Sequence, residues 1–396
     1  MFLSRQVEEG QQVLAQRVLG LLEGVKISLP SGLFVGKNKQ RVLLEPQLFS
    51  YFNNVSKSSD DLSRIFFGYL KSKDTEFVVY TNGQRMIDLP NYGYLFIKVK
   101  NKKLKFISTG GKIKLKDEKQ KIRYKFEPIL YIKDTGIEIR KYSHPFYQYL
   151  LGKTEKAGKQ KLKSEFRVSI EKSIKNYLSK IEDSLELIKR TSSSQYKEIL
   201  KLCRTIVLLK GTNLIAFTAF DMHGVVFIRP RKSDTRLFFA EHIIHEVSHI
   251  ALNSVFLNIQ DFFTVNPFEE KFSSPFRKDL RGAYQVIQAA FVLAKIAQFF
   301  SECLSKTRLG ERERYEVIGR LMLSLERLKE ALSYINDKNI YTRKGLRIYN
   351  KMSNLEQNLR RKHANLFKKY IISNQKIEFD LQRFLRLNKL IHKGAE

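Results

Sequence analysis

The sequence predicts an α+β protein, with an antiparallel β-rich N-terminal region followed by a mostly helical domain that carries a metal-site motif. Three observations predict it. Between about residues 75 and 141, short stretches alternate apolar with polar residues and are separated by turn residues. From about 155 onward, long stretches carry apolar residues at helical spacing. Within one of these, a histidine, a glutamate and a second histidine stand in the spacing H-E-x-x-H.

Length and composition bound the problem. At 396 residues the chain can bury a large core and hold two or three substructures. A hydrophobic fraction of 43% excludes wholesale disorder. Lys+Arg number 72 against 40 Asp+Glu, a formal net charge of +32. Such an excess attracts polyanions: nucleic acid, an anionic membrane, or an acidic protein or peptide. Charge alone does not exclude nucleic acid. The lysines are spread along strands and helices, so a lysine-rich composition of the whole chain accounts for the same excess. The two cysteines, Cys203 and Cys303, have no C-x-x-C spacing, which argues against a disulfide scaffold or a cysteine metal site and suits a reducing cytoplasm. MFLSRQVEEGQQ has no basic start followed by an apolar run, so no signal peptide is read there. The most apolar helical run, Ala289 to Phe300, is short for a bilayer span and is interrupted by Lys295. A cytoplasmic protein is expected.

Taken in order, residues 4 to 24 predict a helix on Val13, Leu14, Val18, Leu21 and Leu22, broken at Leu29-Pro30-Ser31-Gly32. Residues 42 to 70 read as mostly helical, completing a mixed segment over 1–74. EFVVYTN, YLFIKVKN, KLKFIST, KIKLKDE, IRYKFEP and GIEIRKY predict an antiparallel meander within 75–150, one face wet and rich in lysine. Its strand edges suit addition of an extended peptide, and its lysines favour an acidic one; a solvated face without a partner is the plainer reading. Residues 155 to 190 turn helical, basic at first (KTEKAGKQKLK) and then amphipathic. TIVLLKG, LIAFTAF and GVVFIRP, Thr205 to Pro230, predict short apolar strands inside a metal-site domain over 151–310. A polar loop over 264–282 leads to a long helix ending near Lys306. Further charged helices fill 311–396, over 312–336 and 344–394.

The motif helix is expected over 233–253, capped by Ser233 or Asp234. Residues four apart share a helix face, so His245 and His249 can present nitrogens to one metal ion, with Glu246 beside them to act on a bound water or support the ligands. The chain has seven histidines, and His242, His245 and His249 fall within eight residues. His242 is too far from His249 along the axis to share the ion and is expected to pack or support. Strands leading into an H-E-x-x-H helix are the order of a zincin-like metal site. Two histidines need a third ligand and open positions. Gln285, Gln288 and Glu302 on the next long helix are the candidates, approximately on one face.

The stretch SSPFRKDLRGAYQVIQAAFVLAKIAQFF after HEVSH resembles the C-terminal half of the HExxH-type peptide β-hydroxylases of ribosomal-peptide biosynthesis. There the motif helix is followed by a pattern like S-P-W-R-x-D-P-R-P-L and then by a helix bearing His or Gln. Pro275, Phe276, Arg277, Asp279 and Arg281 match that pattern. The resemblance covers about 240 to 300. It implies Fe(II), 2-oxoglutarate and O₂ as cofactors and hydroxylation of side-chain β-carbons in a precursor peptide; the lysine excess adds the expectation of an acidic leader or core. It implies further that His245, His249 and Gln288 bind the metal, that Glu246 handles a proton or supports the ligands, and that Arg277 or Arg281 pairs with an oxoacid carboxylate. Gln288 stands where the family has His, and Leu280 and Gly282 replace two family prolines.

Three readings compete. One is this oxygenase, with Phe238, Phe239, Phe276 and Phe291 helping to build a dry pocket. The second is a zinc metallopeptidase with Glu246 as general base and Glu302 as third ligand. The third is a basic peptide-binding homologue with a degenerate metal site.

Overall fold

A computed structural model of the chain describes residues 3–25, 33–34, 38–53, 59–70, 74–117, 120–144, 171–210, 214–275, 277–376 and 378–390. The fold is α+β, with antiparallel sheets in the N-terminal half and helices in the C-terminal half. It divides into two compact units. One comprises Glu8–Leu178 and Leu200–Arg231 and holds the larger sheets. The other comprises Met1–Val7, Ser179–Ile199 and Lys232–Glu396 and is mainly helical.

The chain opens with α1 (Ser4–Glu23), which buries Val7, Leu14, Val18 and Leu22 at spacings of seven and four residues. Val13 and Leu21, expected on the same seam, are exposed, because the buried stripe is narrower than the run of apolar residues. Three short helices follow, α2 (Asn38–Leu43), α3 (Pro46–Asn53) and α4 (Ser59–Phe67). Then come β1 (Thr75–Tyr80), β2 (Met86–Leu89), β3 (Gly93–Ile97), β4 (Lys103–Thr109), β5 (Lys112–Asp117), β6 (Gln120–Ile122), β7 (Tyr124–Pro128) and β8 (Glu138–Ile139).

These strands do not form one meander. They separate into an antiparallel sheet β1-β4-β5-β6 and a second antiparallel sheet β2-β3-β7, while β8 leaves both. The sequence reading missed β2 and β6. Every residue of β2 is buried, so it lacks the period-two pattern, and β6 has three residues. β8 instead pairs in parallel with β9 (Thr205–Leu208). Two helices precede β9, α5 (Glu171–Thr191) and α6 (Ser193–Leu202). The basic run KTEKAGKQKLK lies outside the described residues. β10 (Ala216–Phe217) and β11 (Val225–Ile228) complete a mixed sheet in the order β10-β11-β9-β8, with β11 parallel to β9 and β10 antiparallel to β11. The apolar tracts therefore do form strands, although LIAFTAF contributes two residues only. Gly224 (φ +95°) turns the chain into β11 in the left-handed region that glycine tolerates best.

A buried polar cluster lies in this unit and left no pattern in the sequence. Asp88 accepts hydrogen bonds from Arg140 and Gln47; Arg64 donates to Gln47 Oε1 and to the Asp88 carbonyl, at 2.9 and 2.8 Å. Arg140 also reaches Glu138 at 3.2 Å, which accepts from Tyr94 at 2.6 Å. Burial alone would raise the Asp88 carboxyl pKa, but Arg140, then His144 and Arg64, hold it below its ordinary value.

The helical unit continues with α7 (Arg236–Val255), a hairpin of β12 (Phe272–Ser274) and β13 (Arg277–Arg281), α8 (Ala283–Lys306), α9 (Glu311–Tyr334), α10 (Arg343–Lys362), α11 (Ala364–Lys369) and α12 (Leu381–Leu387). The hairpin replaces part of the expected loop. The last expected helix breaks into three, the first break at His363, which hydrogen-bonds Ser301 at 2.8 Å. α8 is the packing centre: α7, α9 and α10 all lie against it. It runs 24 residues and is the one described helix long and apolar enough to cross a membrane; its apolar window is 78% buried within the protein. Its Lys295 is buried and reaches Glu198 at 2.8 Å.

Candidate metal centre

The motif helix α7 starts at Arg236, three residues later than the sequence suggested. Thr235, not Ser233 or Asp234, is its cap: the Thr235 hydroxyl accepts from the Phe238 N–H at 3.3 Å and donates to Glu316 at 2.8 Å. The Asp234 backbone carbonyl accepts from Lys180 at 2.7 Å. Arg236 forks onto Glu313 at 2.7 and 2.9 Å, and Arg320 joins Glu241 to Glu316. These bonds pin the first two turns of α7 to α9.

From Leu237 to Val255, α7 is buried except at Glu241, His242, His245, His249 and Asn253. Their steps of one, three, four and four residues place all five on one stripe of the helix. A helix this buried opens itself along a row of three histidines flanked by a glutamate and an asparagine.

The two motif histidines converge. The ring centres of His245 and His249 are 5.1 Å apart. An ion about 2.1 Å from one nitrogen of each ring, subtending roughly 90–110°, sets ring centres on the order of 5 Å apart. His242 lies 6.3 Å from His245 and packs its ring edge against Phe238 at 4.3 Å, the packing role expected of it. Burial, then the neighbouring His249 and His242, pushes the His245 pKa well below its ordinary value, although its side chain is 30% exposed. Burial lowers His249 to about 4. Both rings are thus neutral near pH 7, with lone pairs available for a metal. Glu246 is 2% exposed and its Oε1 lies 3.9 Å from His245 Nε2. Burial raises its pKa well above the usual carboxyl range.

α8 supplies the neighbouring polar groups. Asn253 Oδ1 accepts from the Tyr284 hydroxyl at 3.1 Å and from Gln288 Nε2 at 3.2 Å, and Gln288 Nε2 also meets the Tyr284 oxygen at 2.8 Å. Gln288 is therefore held one helical turn beyond His249, with its amide nitrogen engaged on two partners. The other candidates are placed elsewhere. Gln285 folds back over the start of α8, where its Oε1 would meet a Cβ at Gly282 at 2.6 Å and is buried without a hydrogen-bond partner. Glu302 accepts from Gln298 at 3.0 Å and pairs with Lys306 at 2.7 Å. It follows Gln288 by fourteen residues, about 21 Å of helix. Among the described residues no three His, Cys, Asp or Glu side chains gather as a metal-binding group. Two neutral, converging imidazoles are donors of a kind that fits a divalent metal, and the Gln288 amide lies beside Asn253 on the same row.

Arg277 and Arg281 lie on β13, immediately before α8. Arg281 pairs with Asp279 at 2.5 Å, and its Nε is buried without a hydrogen-bond partner. Arg277 pairs in register with Ser274; its backbone alone is described. Phe239 and Phe291 are fully buried core residues, and Phe276 lies outside the described residues. Asn253 and Tyr284 are the members of this polar row that the sequence reading passed over. The signal was present in the spacing: Asn253 continues the His245–His249 series by four residues.

No protein-family model matches the chain, and no curated protein matches it.

Proposed function

We propose that the chain is a non-heme Fe(II), 2-oxoglutarate-dependent oxygenase that hydroxylates side chains of a ribosomally made peptide. The observation that carries this reading is the stripe on α7: a buried helix whose partly open positions include two neutral, converging imidazoles in H-E-x-x-H spacing. The sequence resemblance of residues 240 to 300 supplies the reaction class, and a zincin-like arrangement of the motif helix belongs to the same proposal. When bound, Fe(II) with the oxoacid and O₂ supplies the oxidant: one oxygen atom enters the substrate C–H bond, the other enters succinate, and CO₂ leaves.

The remaining roles fall to the chain's own residues. His245 and His249 hold the metal, and Gln288, oriented by Asn253 and Tyr284, offers a neutral amide oxygen as the third donor. Glu246, buried against His245, accepts or returns a proton at its Oε1. Arg277 or Arg281, on the strand that leads into α8, pairs with the oxoacid carboxylate. The peptidase reading loses support because Glu302 is occupied by Gln298 and Lys306. The metal-free reading draws on the lack of a third acidic or histidine ligand among the described residues.

The deciding experiment is an anaerobic absorption spectrum of metal-stripped protein with Fe(II), before and after 2-oxoglutarate. Chelation of the oxoacid on protein-held iron gives a visible charge-transfer band, expected in the wild type and lost in His245→Ala. No band in the wild type would overturn the oxygenase reading. A zinc-dependent proteolysis assay with Glu246→Gln as control then separates the remaining two.

A further inference from the structure

The sheet β1-β4-β5-β6 has two faces of opposite chemistry. Phe77, Val79, Leu104, Phe106 and Leu115 point inward and are buried. The register places Lys103 and Lys105 of β4, Lys112, Lys114 and Lys116 of β5, and Lys121 of β6 together on the outward face, and all six are exposed. Two of the cross-strand pairs are lysine on lysine: Lys105 faces Lys116, and Lys116 faces Lys121. Like charges directly opposite in a sheet destabilise it. Compensation is sparse. Among the described residues, Glu76 pairs with Lys105 at 2.5 Å, and Lys103 lies 5.9 Å from the centre of the Tyr80 ring. A solvated face carries no requirement to align lysines against lysines, whereas a face that receives negative charge does.

From this arrangement we infer that the outward face of β1-β4-β5-β6 is the docking surface for an extended acidic polypeptide. Along β5 the three lysines recur every second residue, about 6.6–6.8 Å apart, and adjacent strands lie about 4.8 Å apart. Alternate side chains of an extended peptide repeat at that same interval, so acidic residues at every second position meet lysines without either chain bending. Two features disfavour a nucleic acid. The six cations are all lysine, with no arginine fork for a phosphate. Among the described residues Tyr80 is the one aromatic on this face; it is approached by Lys103, and no row of rings is there for bases to stack on. The lysine face receives its peptide whether or not α7 binds iron.

The test uses the full chain and a fluorescent peptide of alternating glutamate and serine, with single-stranded DNA of equal charge as the competing polyanion. Anisotropy titrations compare the wild type with the sheet variant K112Q/K114Q/K116Q and with K351Q/K368Q/K369Q, which removes the same charge from exposed positions on α10 and α11. The sheet variant is expected to lose about tenfold in peptide affinity at low salt, while the helix variant stays within about twofold. The sheet variant is also expected to keep or raise its Tm, since like-charge repulsion is relieved. Equal losses in both variants would reduce the effect to net charge and overturn the inference. So would unchanged peptide binding in the sheet variant, a loss confined to DNA, or a lowered Tm.

Discussion

Three histidines lie on one stripe of α7, yet their surroundings differ. His245 and His249 face each other with ring centres 5.1 Å apart, and His242 turns its edge onto Phe238. Metal affinity is therefore expected to divide sharply between them. His245→Ala or His249→Ala should lower Fe(II) or Co(II) affinity by a hundredfold or more, on the order of 3 kcal/mol or above, while His242→Ala stays within about threefold. Metal titration by calorimetry reads this directly, and a large loss in His242→Ala would sink the assignment. Asn253 touches no ion in this reading; it orients Gln288. Asn253→Ala should weaken the metal about ten- to a hundredfold, the usual range for a group supporting a ligand. Asn253→Asp, which keeps the acceptor oxygens for Tyr284 and Gln288, should restore most of the affinity.

At the scale of elements, the buried ion pair between α6 and α8 governs stability more than any surface charge. Lys295 and Glu198 are each under a tenth exposed and lie 2.8 Å apart, with the Lys295 carbonyl accepting from Gln195 at 3.0 Å. Removing one partner leaves a buried charge alone. Lys295→Met or Glu198→Leu should each cost about 3–5 kcal/mol, and the double variant should cost less than the sum of the two. Strict additivity in denaturant unfolding would show that the two residues do not couple. The cap of α7 is a smaller effect: Thr235→Ala should cost about 1–2 kcal/mol, since it loses both the Phe238 bond and the Glu316 bond. The long amphipathic helices, the H-E-x-x-H face and the alternating strands β1, β4 and β5 were legible because each has a period that one residue's neighbours reveal, while β3 and β7 were legible from apolar and aromatic residues between turns. What escaped was non-local. β8 reads as one more strand of a meander, but its partner β9 comes more than sixty residues later and pairs in parallel. The Asp88–Arg140–Arg64 cluster joins residues up to 76 positions apart and no local pattern announces it. At the site, helical spacing offers Gln285, Gln288 and Glu302 together and the resemblance points to Gln288; that Gln288 packs against Asn253 is visible only in the fold.

At the scale of the whole molecule, the sheet-bearing unit stores an acid sensitivity in two buried histidines. Burial lowers His144 to about 3, against a smaller opposing pull from Asp88 3.8 Å away, and burial lowers His223 to about 4. His223 Nε2 lies 2.7 Å from Gln11 Nε2 and its ring is tilted over Phe49 at 5.1 Å. Both rings are neutral in the folded chain at pH values where an unfolded histidine, near 6.5, is protonated. The unfolded state therefore binds more protons between about pH 4 and 6.5, so stability is fully present above pH 6.5 and falls as the pH drops through that window. Each histidine contributes a slope of about 1.4 kcal/mol per pH unit there. Asp88, held below its ordinary value, adds a loss of the same sign at lower pH, as its unfolded counterpart begins to protonate. Urea unfolding of this unit followed from pH 7.5 to 5 should show a shallow dependence above 6.5 and a steep one below. His223→Gln removes one titrating ring and should reduce the lower slope by about 1.4 kcal/mol per pH unit while leaving the plateau above pH 6.5 flat. An unchanged slope in that variant would mean that His223 is protonated in the folded chain, and that the acid sensitivity arises from groups other than these buried rings.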